Sequence, residues 1–474
     1  MATAVDPDLA ARLEEAGQGH LVAAIEALSD GAAAGLESEV RALDLDLIEW
    51  LVERFVRGDG TPDETGEVAP GDAIPLPRSG SEGERADRIR GVGEELLRSG
   101  RVALVLLAGG QGTRLGFSGP KGEFPFAPIT HRTLFHHHAA KVAALRSRYE
   151  APLPWYLLTS PQNDEETRRF FWANDHFGLA PDSVRFVIQG TLPAVDAEGG
   201  QILLDAPDRL ALSPDGHGGL LIALRRAGAL DEMTDEGITT FFTFQVDNPL
   251  LQVAHPALLG EHVEAGAEMS SLVVRKKSPE EKMGVIARVD GKTAVVEYSD
   301  LPDKLARART PDGELQYWGG SIAVHAIEVE LANRVTEGGN NLPFHRALKK
   351  VPFVDANGQR VNPEAPNAVK FETFLFDALT MASRTATVEV AREDDFSAIK
   401  NADGDDSPET ARVDLNRAYT RWLEAAGASV ARGQDGDPVD IEIDPRFALD
   451  ADEVAAKIVP GMAISEPTVF APGG

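Results

Sequence analysis

The sequence predicts a doubly wound α/β protein that binds its ligands at the carboxyl ends of its strands, and three observations carry the prediction. Short apolar segments at 102–108, 155–159, 184–188 and 238–246 alternate with stretches of helical spacing, the pattern of a sheet with helices laid on its faces. The first of them, VALVLLA, is apolar at every position and reads as a strand buried on both sides. It runs directly into GGQGTRLG at 109–116, where glycines let backbone N–H groups close on an anion with no Cβ in the way.

Length and composition bound the rest. The 474 residues suffice for two or three domains, read here as a helical N-terminal region at 1–100, a catalytic domain at 101–403 and a small α+β domain at 404–474. A formal net charge of −30 argues against a nucleic-acid partner held through its phosphates. Any polyphosphate must then be met by Lys and Arg gathered locally, or by a divalent cation. The absence of cysteine excludes disulfides, thiolate metal sites and cysteine nucleophiles. No run reaches the roughly eighteen apolar residues of a membrane span, and the start, MATAVDPDLA, lacks a basic and apolar signal region. The expectation is a soluble, cytoplasmic protein.

Each element follows from its local chemistry. Asp6-Pro7 marks a helix start, Leu9, Leu13, His20, Leu21 and Ile25 recur at helical spacing, and 43–55 forms a second apolar stripe. Residues 60–83, rich in Gly, Pro, Ser and acids, read as a surface connection. A helix over 133–148 contains His136, His137 and His138. Successive helical residues point about 100° apart, so these three cannot chelate one ion and are expected to pack or face solvent. A helix follows at 163–176. SPDGHGG at 213–219 is a second glycine-rich loop, opening a helix near Leu220 whose unpaired N–H groups suit a phosphate. The strand at 238–246 delivers Asp247-Asn248-Pro249 at its carboxyl end. Asp247 is there either a hard oxygen ligand for Mg²⁺ or the cap of a following helix. Asp290-Gly291 makes a hairpin turn, and its second strand ends in Glu297-Tyr298. Beyond 404 the chain is acidic, then helical over 411–425, with a further strand and helix in IEIDPRFALD and ADEVAAKI.

Spacing separates the glycine-loop families. A Walker A loop needs Gly-Lys-Ser/Thr, but Lys121 follows Pro120 and precedes Gly122. A dinucleotide fingerprint needs a third glycine where Leu115 stands, and an acidic residue near 130 that is missing. What remains, L-x-G-G-x-G-T-R-L-G followed by Pro-Lys, resembles the signature of nucleoside-diphosphate-sugar pyrophosphorylases of the eukaryotic UDP-sugar type. Further segments resemble the UDP-N-acetylhexosamine pyrophosphorylases in unchanged order: AGQGHL at 16–21, QGTLPAV at 189–195, VDN at 246–248, VVEY at 295–298, NAVKFETFLFD at 367–377 and REDDFSAIKNAD at 392–403.

The resemblance implies a nucleotidyltransferase fold, GT-A-like and Rossmann-like, with a mixed, mostly parallel sheet. It implies a catalytic set of Arg114, Lys121 and Lys400. It implies a nucleotide site of Leu107, Ala108, Gly109, Gly110 and Gly112 with Lys121, Gln189, Gly216, Asp247 and Lys370. An amide at Gln189 would offer uracil both a donor and an acceptor; otherwise it merely caps a strand. The sugar would be met by His217, Glu297, Tyr298, Ser321, Phe371 and Phe374, and Asp247 would hold Mg²⁺ or Mn²⁺. Two departures stand near the sugar: His217 replaces the family's asparagine, as a glucose-type Gly-His-Gly turn would, and Ser321 replaces another.

The implied partners are UTP and a sugar 1-phosphate as substrates, with UDP-sugar and pyrophosphate as products, and the oligomeric state is left open. N-acetylglucosamine or N-acetylgalactosamine 1-phosphate is the expected acceptor. The alternatives are glucose 1-phosphate or broad UDP-sugar specificity, a UDP-sugar binder without catalysis and, last, a nicotinamide-dependent oxidoreductase, which Leu115 disfavours.

Overall fold

The alternation of strands and helices builds a ten-stranded mixed sheet. The computed structural model describes residues 5–58, 66–77, 80–355, 357–434 and 436–473, so part of the expected surface connection at 60–83 lies outside the described residues. Thr240–Gln245, Val102–Leu107, Trp155–Thr159 and Val184–Ile188 lie side by side and parallel, with Gln245 opposite Leu107. Both central strands are buried along almost their whole length, as apolarity at every position requires when helices cover both faces. Beyond Thr240–Gln245 the sheet turns antiparallel through Gly319–Glu328, which also pairs with Met269–Arg275 and touches the hairpin Val285–Val289 and Lys292–Val296. Asp290 and Gly291 take φ of 50° and 79° at the hairpin tip, the left-handed pair that an Asp-Gly turn supplies.

The contacts divide the chain into two compact units, one of residues 1–66, 189–220 and 341–377 and a larger one of 67–188, 221–340 and 378–474. This differs from the expected borders near 100 and 403, because reading along a chain cannot show which distant segments share a core. Among the C-terminal elements, Leu415, Leu423, Ile441 and Val454 join the same apolar cluster as Leu104 and Phe244 of the central strands. The helix that carries Leu415 and Leu423, Pro408–Ala425, begins with a capping box between Ser407 and Thr410.

The smaller unit opens with helices Pro7–Glu15, His20–Glu26, Asp30–Arg41 and Leu45–Val52. Asp6 caps the first through the Asp8 N–H, with proline at the first turn as read. The AGQGHL segment acts as a clamp: Gln18 donates to the Gly200 carbonyl (3.0 Å) and accepts from the Ile202 N–H (2.8 Å), while His20 Nε2 meets the Ile202 carbonyl (2.8 Å). The unit also holds an antiparallel sheet of Phe344–Lys349, Ala368–Thr373 and Val195–Asp196. Among the described residues no helix is long and apolar enough to cross a membrane.

Candidate active site

The glycine loop leaves the carboxyl end of Val102–Leu107 and folds back on itself. Gly112 N–H donates to the Gly119 carbonyl (2.8 Å) and Lys121 N–H to the Gly110 carbonyl (3.0 Å). The backbone N–H groups of Gly109, Gly110 and Gln111 take no partner among the described residues, leaving three successive donors for an anion. Positive φ is used at Gly116 (69°) and Gly119 (130°) and not at 109–112. The inner glycines serve close approach instead. A Cβ on Gly112 would stand 2.7 Å from the Phe117 ring, whereas one on Gly110 would meet open space. Asn163, 1% exposed, fixes the loop from below by donating to the Ala108 carbonyl (2.9 Å).

The neighbouring strand places Asp247 at the same end of the sheet, where Val246 N–H donates to the Leu107 carbonyl (3.2 Å). Lys121 Nζ stands 3.0 Å from Asp247 Oδ2, with the two side chains 15% and 18% exposed. The same ammonium reaches the Ile399 carbonyl (3.4 Å), and Ile399 N–H donates to the Asp247 carbonyl (2.8 Å). Lys400 follows at once, its ammonium 3.9 Å from Asp406. The structure thus gathers Lys121, Asp247 and the segment bearing Lys400. Arg114 sits exposed on the turn Thr113–Leu115 of the same loop and makes no ion pair among the described residues. Asp247 does not cap a helix: the next one, Pro256–Ala265, starts later with His255 as its cap.

Sequence reading missed the residues beneath this loop. The adjacent histidines do not chelate. His138 Nε2 donates to the Val246 carbonyl (3.0 Å), His137 Nε2 to the Pro249 carbonyl (3.0 Å), and Lys141 Nζ to the carbonyls of Pro249 and Leu251 (2.5 and 2.7 Å). Burial strips these groups of solvent, pushing His138 down to about 3 and Lys141 down to about 7. Asn248 joins the loop to the next segment by donating to the Asp395 carbonyl (2.8 Å) and accepting from the Ser397 N–H (3.1 Å). The sequence did carry one signal, a lysine one turn beyond two histidines on a helix.

Also in the larger unit, Ser321 N–H donates to the Gly284 carbonyl (2.8 Å), and a Cβ on Gly284 would stand 3.1 Å from Glu297 Oε1, so Ser321 and Glu297 share one neighbour. Tyr298 is 49% exposed.

Within the smaller unit, Gln189 donates to Asp215 Oδ1 and the Gly216 carbonyl, both at 3.2 Å. Both partners are acceptors, so the amide nitrogen is committed and only the carbonyl oxygen stays available to a ligand. The glycines of SPDGHGG answer a tight approach to strand Ala368–Thr373: a Cβ on Gly216, at φ 85°, would lie 2.3 Å from the Thr373 carbonyl oxygen. His217 accepts the Leu375 N–H at Nδ1 (3.0 Å), which places its proton on Nε2, and burial holds it near 4. Its ring stacks on Phe374 at 5.4 Å and 24°. Lys370 is half-buried, and loss of solvent followed by Lys349 lowers its affinity for a proton. Phe371 corrects an expectation. At 1% exposed it packs among Val195, Ile202, Leu210 and Val369, because side chains alternate along its strand and the residues beside it, Lys370 and Glu372, face the other way.

Solved structures and sequence relatives agree on the class. The uridine diphosphate N-acetylglucosamine pyrophosphorylase of Trypanosoma brucei superposes with a TM-score of 0.81 at 26% identity, covering 96% of this chain and 97% of that one. The fold is that of the α/β nucleotidyltransferases. The chain belongs to the UTP–glucose-1-phosphate uridylyltransferase family, whose profile matches residues 85–406. It is 33% identical over 461 residues to UDP-N-acetylglucosamine diphosphorylase 1 of Arabidopsis thaliana, covering 94% of this chain and 89% of the relative. It is 36% identical over 440 residues to human UDP-N-acetylhexosamine pyrophosphorylase-like protein 1, covering 90% and 87%.

Proposed function

We propose that this protein transfers a uridylyl group from UTP to an N-acetylhexosamine 1-phosphate, releasing UDP-sugar and pyrophosphate. The observation that carries the reading is the Lys121–Asp247 pair beside three free loop N–H groups at one end of the sheet. The names borne by the relatives in sequence favour N-acetylglucosamine or N-acetylgalactosamine over glucose. The fold and the absence of cysteine suit a cytoplasmic enzyme.

The chemistry needs no protein nucleophile. An oxygen of the sugar phosphate attacks the α-phosphorus of UTP in line, one P–O bond forms, the bond to the β-phosphate bridge breaks, and pyrophosphate leaves with that electron pair. Catalysis is then positioning and charge neutralisation. The N–H groups of Gly109, Gly110 and Gln111 cradle phosphate oxygens, and Leu107 and Ala108 set where the cradle starts. Lys121 and Arg114 neutralise the departing pyrophosphate, Lys400 meets the sugar phosphate, and Lys370 is assigned to the nucleotide. We assign Gln189 and Gly216 to uracil, and His217, Glu297, Tyr298, Ser321 and Phe374 to the sugar.

The donor set fits a magnesium or manganese ion. Among the described residues no three His, Asp or Glu side chains converge on a point, but Asp247 is a partly buried hard oxygen beside the cradle, and Mg²⁺ is bound through one or two carboxylates with phosphates and water. Such an ion held at Asp247 supplies charge neutralisation at the α-phosphate.

The test is pyrophosphate release with UTP, Mg²⁺ and a panel of 1-phosphates of N-acetylglucosamine, N-acetylgalactosamine and glucose. Release with an N-acetylhexosamine 1-phosphate and not glucose 1-phosphate supports the proposal. Preference for glucose 1-phosphate moves the assignment to the sugar alternative, and UDP-sugar binding with no release refutes catalysis.

A further inference from the structure

The loop that carries Asp247 is held by donors as well as by packing. Helix Leu134–Tyr149 turns His137, His138 and Lys141 toward it, at 8%, 0% and 8% exposed. Between them they bind the carbonyls of Val246, Pro249 and Leu251, one before Asp247 and two after it. Behind the second half of this loop lies a cavity of about 460 Å³, walled by Pro249, Leu250, Leu251, Gln252, Val253 and Lys141. Leu250, Leu251 and Val253 are themselves buried in the main apolar cluster, so packing holds the loop and the hydrogen bonds add to it by fixing where its carbonyls stand.

His138 is the prong nearest the carboxylate. A carbonyl only accepts, so Nε2 carries the proton. Nδ1 is buried and has no hydrogen-bond partner among the described residues. A buried, unpaired polar atom opposes folding, so the imidazole is retained at a cost that an apolar side chain of similar size avoids. Its one hydrogen bond is to the residue before Asp247, and its ring packs on Phe244 at 5.5 Å.

We propose that His138 is a positioning residue of the transferase site: by fixing the Val246 carbonyl it sets where the Asp247 carboxylate stands, and so how tightly the divalent cation is held. The proposal rests on the reading of Asp247 as that cation's ligand. It separates from a packing role because a donor can be removed at nearly constant volume and then restored. His138→Leu removes it, and His138→Gln returns an N–H near the position of Nε2.

Two measurements decide. Enhancement of water proton relaxation by Mn²⁺ in the presence of UTP, without sugar phosphate, reads the cation's affinity with no turnover. Initial rates of pyrophosphate release give kcat and KM. His138→Leu should weaken Mn²⁺ binding about tenfold or more, as losing a partner that orients a ligand does. Its kcat should fall by a similar factor, with KM for the sugar 1-phosphate moving less than about threefold, and His138→Gln should recover both to within about threefold of wild type. If the leucine variant does not fold, His138→Asn, whose amide stops short of the Val246 carbonyl, takes its place with the same expected losses. A folded donor-less variant with unchanged Mn²⁺ binding overturns the proposal, as does failure of glutamine to rescue. A wild type without cation-dependent release overturns the transferase reading itself, and this inference falls with it.

Discussion

Replacing Lys121 by methionine keeps the aliphatic stem and deletes the charge. In the resting site the ammonium stands 3.0 Å from Asp247 Oδ2. At an effective dielectric constant of about 20, the gross attraction at that distance is about 5 kcal/mol, much of it offset by the solvent each group gives up. The same charge facing a departing pyrophosphate is worth what a single lost electrostatic donor costs in comparable sites, about 10²–10³ in kcat or roughly 3–4 kcal/mol. Because the side chains keep 15% and 18% of their exposure, the effect on folding should be smaller, about 1–3 kcal/mol. The assay is pyrophosphate release at saturating UTP and sugar 1-phosphate, run beside a thermal melt. Turnover within about threefold of wild type in a folded Lys121→Met protein would refute the assignment of Lys121 to the leaving group.

Gly110→Ala adds a methyl group that meets open space, so the fold should be unchanged while KM for UTP rises about tenfold or more if the phosphates lie against that backbone; an unchanged KM places them elsewhere. Glu123, whose buried Oε1 has no hydrogen-bond partner among the described residues, is raised to about 7 first by loss of solvent and then by Glu166. The folded protein therefore holds that proton where the unfolded chain releases it, and stability is lost as pH rises from about 4.5 through 7. Glu123→Gln should melt higher than wild type at pH 8, with the gap closing by pH 5, and equal melting at both refutes the burial argument. Lys141 is lowered to about 7, so above that pH the unfolded chain binds a proton that the folded one does not, and stability rises with pH. Measured by denaturant, wild type should gain on Lys141→Met by up to about 1.4 kcal/mol per pH unit between pH 7 and 9, and parallel curves would refute the shift.

What the sequence made legible was what lies close together along the chain. The glycine loop, the all-apolar strand before it and the carboxylate ending another strand are each written in a dozen consecutive residues, and their pairing follows from parallel strands ending on one edge. The hairpin at Asp290-Gly291 was legible for the same reason. The clamp on Asp247 was not, because His138 and Val246 are 108 residues apart and nothing local distinguishes a histidine that grips a carbonyl from one that faces water. Phe371 was misread because a motif names residues without saying which face of the strand each occupies; its core neighbours settle that. The glycines of 109–112 were read for close approach to an anion; Gly110 leaves open space for one, while Gly112 is required by the nearness of Phe117.

The net charge of −30 and the proposed polyanionic substrates pull in opposite directions, and the site shows how a protein reconciles them. Its field at a distance repels UTP, and that repulsion fades beyond about 10 Å at 0.1 M salt. Attraction must therefore be local, and the local lysines are not idle: Lys121 is held by Asp247 and Lys400 stands by Asp406. On the proposed reading a cation at Asp247 would release Lys121 to face phosphate, so one carboxylate would keep the resting ammonium in place and then exchange it for a metal. This economy works only if the carboxylate stays put while its partners change. Asp247 is accordingly gripped through its own carbonyl by Ile399, through Val246 by His138 and through Asn248 by the segment leading to Lys400, backbone and amide contacts that the exchange of charges leaves intact.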